Sequence, residues 1–323
     1  VGCDRFSAYL SNLVSRNKDM RIFNKLGYKD FSEEREITRM KYRNIFLGLL
    51  LAFTLVGCSR LDTIPSNPPQ TPDAWLVSQP YLMIDGGFFQ TILIQPSTTA
   101  IVYLLGLITI FAGIYFLRIR EKERSRFWWG IALLLWGVGA LLAGTSYEGF
   151  SYSIKCLGRE ICIWTSWWEV VYLFLSVASV NAMLIAQSYA CAEGQMRRRL
   201  KIYAFLNLFI YTIILLIGSF IPVKFLISFE LLIFFCAPTI IIFLIMNSLR
   251  LLRYKLQVDK LLLGTWIWLS LTIAAYFLYY ISGLTSRLWS QGIWFTENDV
   301  LHIGLIIWML YLVLVVANKI KDI

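Results

Sequence analysis

The stretch TENDVLHIGLIIW, Thr296 to Trp308, holds the one histidine of the 323 residues, His302, at the mouth of a long apolar run. An imidazole there could ligate a metal, act as a base, or tie two helices together as a buried polar group. On a helix, Asn298 and Asp299 lie four and three residues before it and share its face. Three more acids sit at the ends of other apolar runs: Glu148 in GTSYEGF, Glu169 in WTSWWEV and Glu230 in FLISFEL. Ser146, Tyr147, Tyr279 and Tyr280 are expected at the same depth. Ionisable groups within membrane spans are costly and face the bundle interior or water. Glu148, Glu169, Glu230, Asn298, Asp299 and His302 are therefore expected to form one polar chamber that opens outward.

Ser146, Glu148, Asp299 and His302 are the candidates for catalysis. Carboxylates and imidazole both bind zinc, so Glu148, Asp299 and His302 are the one conceivable metal set. Each residue also has a plainer role. Thr296 and Asp299 fit a capping box, and Glu297 suits a helix N-terminus. Glu148 could stand in water, and Glu169 could reach the headgroups. The expectation for His302 is a structural one: it hydrogen-bonds Asp299 or an acid of another helix, Glu148 first and Glu230 next, without a metal.

The elements that carry these residues follow from composition. The chain is 58% apolar and 16% aromatic, with 15% charged residues. A soluble domain has about 25% charge. The charges fall between apolar runs of roughly the ~20 residues that cross a bilayer. An all-α, seven-helix bundle is expected, with spans near Ser97–Leu117, Phe127–Ser146, Trp164–Tyr189, Leu200–Ile221, Phe225–Leu249, Leu261–Leu284 and Val300–Ala317. Pro238 should kink the fifth. Gly139 with Ala143, and Ala140 with Gly144, would let a neighbour approach the second.

Loop charge gives the direction. One side carries fifteen Lys and Arg, at 118–126, 197–201, 250–260 and 319–321; the other carries five, Arg60, Lys155, Arg159, Lys224 and Arg287. The richer side is expected in the cytoplasm, so the bundle is N-out and C-in. The net charge of +10 is thus a topology signal and a contact for membrane lipids, not a nucleic-acid footprint.

Ahead of the bundle, MKYRNIFLGLLLAFTLVGCSR has a basic start and an apolar stretch too short for a comfortable span. Its end, Leu55-Val56-Gly57-Cys58, resembles the lipobox of bacterial lipoproteins. That resemblance implies a signal peptide over 40–57 and lipidation of Cys58. Residues 1–39 then read as an upstream extension before a start at Met40; the alternative is a cytoplasmic arm, with Phe6, Leu10 and Leu13 at helical spacing. Residues 58–95 hold five of the eight prolines and are expected to be an extended linker on the outer side. Trp75, Tyr81, Phe88 and Phe89 would lie at the membrane interface. Residues 96–323 form the membrane domain. Cys156 and Cys162, in an outer loop of a bacterial inner-membrane protein, are expected to be bridged. Cys191 should be a free thiol on the cytoplasmic side and Cys236 a packing residue.

GALLAGTSYEGF and FTENDVLH resemble pieces of the seven-helix membrane hydrolases that include alkaline ceramidases and adiponectin receptors. The resemblance implies a zinc ion on three histidines, one at the end of the second helix and two on the seventh, activating water against a lipid amide. Here Glu148 stands in the second-helix region, and His302 has Asn298 and Ile306 four residues either side. The sequence therefore points to a non-enzymatic receptor or assembly protein on that scaffold. A hydrolase of a lipid amide or ester is the alternative and a transporter or channel the third. Nucleotide loops, haem motifs, GxSxG and a seventh-helix lysine for retinal are absent from the sequence.

Overall fold

The computed structural model describes residues 60–87 and 90–323. The segments expected to be an N-terminal extension and a signal peptide, and Cys58 itself, lie outside the described residues.

Seven helices are long and apolar enough to cross a membrane, with mean hydropathy between 1.8 and 2.6. The protein is an all-α, multi-pass integral membrane bundle. The spans are α2 (Pro96–Arg118), α3 (Arg124–Ala143), α5 (Trp167–Cys191), α6 (Gly194–Phe220), α7 (Phe229–Tyr254), α8 (Gln257–Ser282) and α10 (Glu297–Tyr311). Short helices α1 (Pro72–Val77), α4 (Ser151–Lys155) and α9 (Leu284–Ser290) lie between them. Several spans run past the apolar stretch into charged ends. The fourth begins at Gly194, so Arg197, Arg198 and Arg199 ride on its first turns. A bilayer offers no partner for free backbone groups, so the helix continues until it reaches water.

Six spans close a ring in the order α2, α3, α5, α7, α8, α10, and α6 flanks α5. α5 is the hub: 67% of its apolar window is buried, against 22–44% for the other six. The ring is filled by aromatics. Trp266 stacks on Phe243 at 4.0 Å and on Trp129 at 5.9 Å, and Trp308 lies 5.1 Å from Trp136.

α2 and α3 touch backbone to backbone. A Cβ on Gly113 would stand 3.0 Å from the Gly130 carbonyl, and one on Gly137 2.9 Å from that of Gly106. The backbone approach uses these four glycines; of the expected pairs Gly139–Ala143 and Ala140–Gly144, Gly144 lies against Val102 of α2. Gly139 meets Leu175 and Tyr172 of α5 at ordinary distances. Lost hydrophobic drive between helices in lipid is replaced here by close packing. Helix α7 runs on through Pro238. Asn207 of α6 donates to the Phe235 carbonyl at 3.2 Å, one turn ahead of that proline.

Residues 60–95 are not the extended linker expected. They fold into a cap over the end of the bundle where α3 ends and α5 begins. Helix α1 is followed by an antiparallel hairpin, β1 (Tyr81–Asp85) and β2 (Gln90–Ile94), which runs straight into α2. Backbone bonds sew the cap to the 155–164 loop: Ser66 N–H to Cys162 O at 2.8 Å, Cys162 N–H to Gln70 O at 2.9 Å, Trp164 N–H to Ile64 O at 2.8 Å. Cys156 and Cys162 are bridged, with Cα atoms 4.3 Å apart. The prolines set bends in a packed segment; Leu61 and Ile64 are buried in a cluster with Val170 and Leu173 of α5.

The arginine-rich end is closed by the last residues. Arg126 donates to the carbonyls of Ile320, Ile119 and Asn318 at 2.9, 2.8 and 3.2 Å. Asp322 accepts from the Arg124 and Ser125 amides at 2.8 Å each, capping α3. Arg197 donates to the Ile323 carbonyl.

Candidate functional site: a sealed acid chamber

The chamber is set by a break in α3. After Ala143 the helix widens into a π-turn, Gly144–Gly149. Such turns recur at functional sites because they re-aim side chains. Gly144 lets the turn pack closely on α2: a Cβ there would lie 2.4 Å from Val102. Two carbonyls in the last turn of α3 accept from hydroxyls of the π-turn. Thr145 Oγ1 donates to Leu141 O at 2.7 Å and Ser146 Oγ to Leu142 O at 3.0 Å. Glu148 is thereby carried inward to 5% exposure.

Helix α5 brings Glu169 in its first turn, 1% exposed. Helix α10 brings Asn298 and Asp299. Asn298 Nδ2 points to Glu148 Oε1 at 3.5 Å, a long and weak contact. Asp299 is fully buried and completes the capping box: its Oδ2 accepts from Thr296 N–H at 2.6 Å, and Thr296 Oγ1 accepts from Asp299 N–H at 3.3 Å. Thr98 of α2 meets Thr296, hydroxyl to hydroxyl, at 3.2 Å.

Among the described residues one cation faces Glu148 and Glu169. Lys155, at the end of α4 and 4% exposed, ion-pairs Glu169 with Nζ 2.5 Å from Oε1. The contact is a close ion pair, not a well-directed hydrogen bond. The ammonium also lies 4.9 Å from the Tyr147 ring centroid and 5.9 Å from that of Trp75. Glu148 is within electrostatic reach of Lys155, Glu169 and Asp299. Glu169 and Glu148 thus face one lysine, Asp299 lies within electrostatic reach of Glu148, and Glu148 Oε2 and Asp299 Oδ1 have no hydrogen-bond partner.

The chamber departs from expectation in four ways. It is sealed by the cap instead of opening outward. Glu230, in the first turn of α7, is exposed and does not join it. Trp75 contributes a ring to the chamber, 5.9 Å from Lys155 Nζ, a contact not expected of it. His302 forms none of the expected bonds, and its Nδ1 is buried without a partner. Asp299 Oδ2 is taken by the Thr296 amide within its own first turn, and packing of α10 on its neighbours sets the angle at which His302 leaves the helix. Ser146, fully buried, has its hydroxyl engaged by its own helix.

The residues present do not fit the zinc that the hydrolase resemblance implies. Asp299 Oδ2 is held by a backbone amide, Glu148 Oε1 faces Asn298, and His302 bonds neither. No group of three His, Cys, Asp or Glu converges among the described residues.

Two things escaped sequence reading. Lys155 looked like one more loop charge. The other is a second buried ion pair at the arginine-rich end: Arg250 Nε lies 2.7 Å from Asp259 Oδ1, and Arg250 also donates to the Cys191 carbonyl at 2.9 Å. The Asp259 side chain is fully buried. A weak signal existed, since Arg250 and Asp259 flank a tight helix–helix turn nine residues apart.

Residues 97–321 match a family of unknown function, DUF6962. The chain belongs to DUF6962. The match runs from the first residues of α2 to the tail clamp, so the matched part of this chain contains the seven spans and leaves the cap largely outside. No curated protein and no solved structure matches the chain.

Proposed function

We propose that the chain is a non-enzymatic receptor or assembly protein that recognises a small polar ligand at the acid chamber. In this reading it sits in a bacterial cytoplasmic membrane, with the disulfide-bearing cap outside and the arginine-rich ends inside. The observation that carries the reading is the surplus of buried acid: Glu148 and Glu169 beside Lys155, with Asp299 near Glu148, and two carboxylate oxygens unpartnered. Buried charge is costly unless paired, and unpaired buried groups mark a place where something else binds. The direction is supported by the fifteen-to-five split of basic residues and by a disulfide on the side that permits one. Lipidation at Cys58, two residues before the cap, would tether that side to the outer leaflet.

The hydrolase alternative lacks a nucleophile–base pair, because Ser146 bonds its own helix and His302 bonds no hydroxyl. Against a pore stands the aromatic filling of the ring. The test has two arms. Purified protein is screened by thermal shift against small polar compounds, with Glu148→Gln as control, and is assayed with lipid amides and esters with and without added zinc. A compound that stabilises the wild type and not Glu148→Gln, with no turnover, is the expected result. Turnover that disappears in Ser146→Ala or His302→Ala would overturn the reading.

A further inference from the structure

The chamber's lysine is seated as a ligand would be. An ammonium between a carboxylate and aromatic faces is a recognised mode of cation binding. Lys155 has all of these: Glu169 Oε1 at 2.5 Å and the rings of Tyr147 and Trp75 at 4.9 and 5.9 Å. Glu148 adds a second carboxylate, 5% exposed, whose Oε2 has no partner. The walls come from rigid or packed elements: Tyr147 and Glu148 from the π-turn, Glu169 from α5, Trp75 from α1. The occupant does not. Lys155 is delivered by the five-residue helix α4, on a loop closed by Cys156 and Cys162. Withdrawing it needs a shift of that loop and release of its backbone bonds to residues 64–70, while α1 and every span stay in place.

Resting on the receptor reading above, we propose that the chamber is an ammonium-recognition site. Its ligand is a molecule with a primary ammonium group, which takes the place of Lys155 between Glu169, Tyr147 and Trp75. The lysine then fills the site at rest and keeps its acids from standing unpaired. A ligand must displace it, so the resting site is closed to weak or neutral compounds.

The test empties the site. Lys155→Ala removes Cγ, Cδ, Cε and Nζ, which together are the heavy atoms of propylammonium. The full chain is purified in detergent and its Tm followed with propylammonium chloride, with propanol, and with sodium chloride. Lys155→Ala should lose about 5–10 °C in Tm, since one partner of a buried pair is left alone. Propylammonium should recover at least half of that loss; propanol and sodium chloride should recover little. Wild type should respond only at concentrations at least tenfold higher. Lys155→Ala/Glu169→Gln should be more stable than the single variant and insensitive to the amine. If the single variant is too unstable for a melting curve, its monodisperse yield with and without propylammonium gives the same answer. Equal rescue by propanol would mean cavity filling and would sink the proposal. So would no rescue by the amine, or an undiminished response in the double variant. A non-amine compound that stabilises wild type through Glu148 would leave the receptor reading intact and overturn the ammonium assignment. Amine rescue together with lipid turnover would leave the site standing and remove the receptor.

Discussion

His302 and Asp299 are three residues apart on one helix yet live in different surroundings. Asp299 reaches back to cap its own helix, and His302 is left with a buried Nδ1 and no bond. Removing an orphaned polar group in favour of an apolar one of similar size relieves a desolvation cost of roughly 1–3 kcal/mol. His302→Leu is therefore expected to raise Tm by a few degrees, read by thermal unfolding in detergent; a marked fall would show that the imidazole has a partner or a metal. Arg250 and Asp259 give the opposite case. Arg250→Ala strands a fully buried carboxylate and should cost about 3–5 kcal/mol, whereas Arg250→Met/Asp259→Leu should cost clearly less. Equal losses in the single and double variants would mean that the pair acts only by filling space.

At the scale of elements, the α2–α3 contact depends on four glycines whose missing Cβ atoms lie against backbone. Gly137→Leu should push the helices apart and cost on the order of 3 kcal/mol or more, seen as lost monodisperse protein. Gly139→Leu, which faces side chains at ordinary distance, is expected to cost less. Equal losses would deny the close approach. The cap is held by its backbone bonds to the 155–164 loop as well as by the bridge. Cys156→Ser/Cys162→Ser should lower stability by about 2 kcal/mol from lost loop constraint. Periodicity and length located the spans because apolar runs of membrane length have few other uses. The cap was not legible: its prolines and polar residues are those of a linker, and only its bonds to a loop some ninety residues later fold it.

For the molecule as a whole, orientation is the claim that matters most for function. Single cysteines placed at Lys122, Glu193 and Lys255 should react with membrane-impermeant reagents only from the cytoplasmic side, and one at Arg159 only from outside. Labelling in the reverse sense would turn the bundle over and move the acid chamber to the cytoplasm. The same bundle has two sealed ends of different make. The arginine-rich end is closed by the tail, through Arg126 and Asp322. The other is closed by the cap, above the acids. Between them the Trp129–Trp266–Phe243 stack leaves the centre filled.

The sequence by itself determined the class and the seven spans, because lipid imposes length and apolarity on each span separately. It also marked the Thr296–Asp299 capping box, whose two partners lie within one turn. Only the tertiary structure decided which polar residues meet. Lys155 joins Glu169 because α4 folds under the cap, and Glu148 turns inward because a π-turn ends α3. Glu230 stays outside and His302 goes unbonded because rotation about each helix axis is set by packing against neighbours. Hydropathy gives depth in the membrane; it does not give the angle at which a side chain leaves the helix.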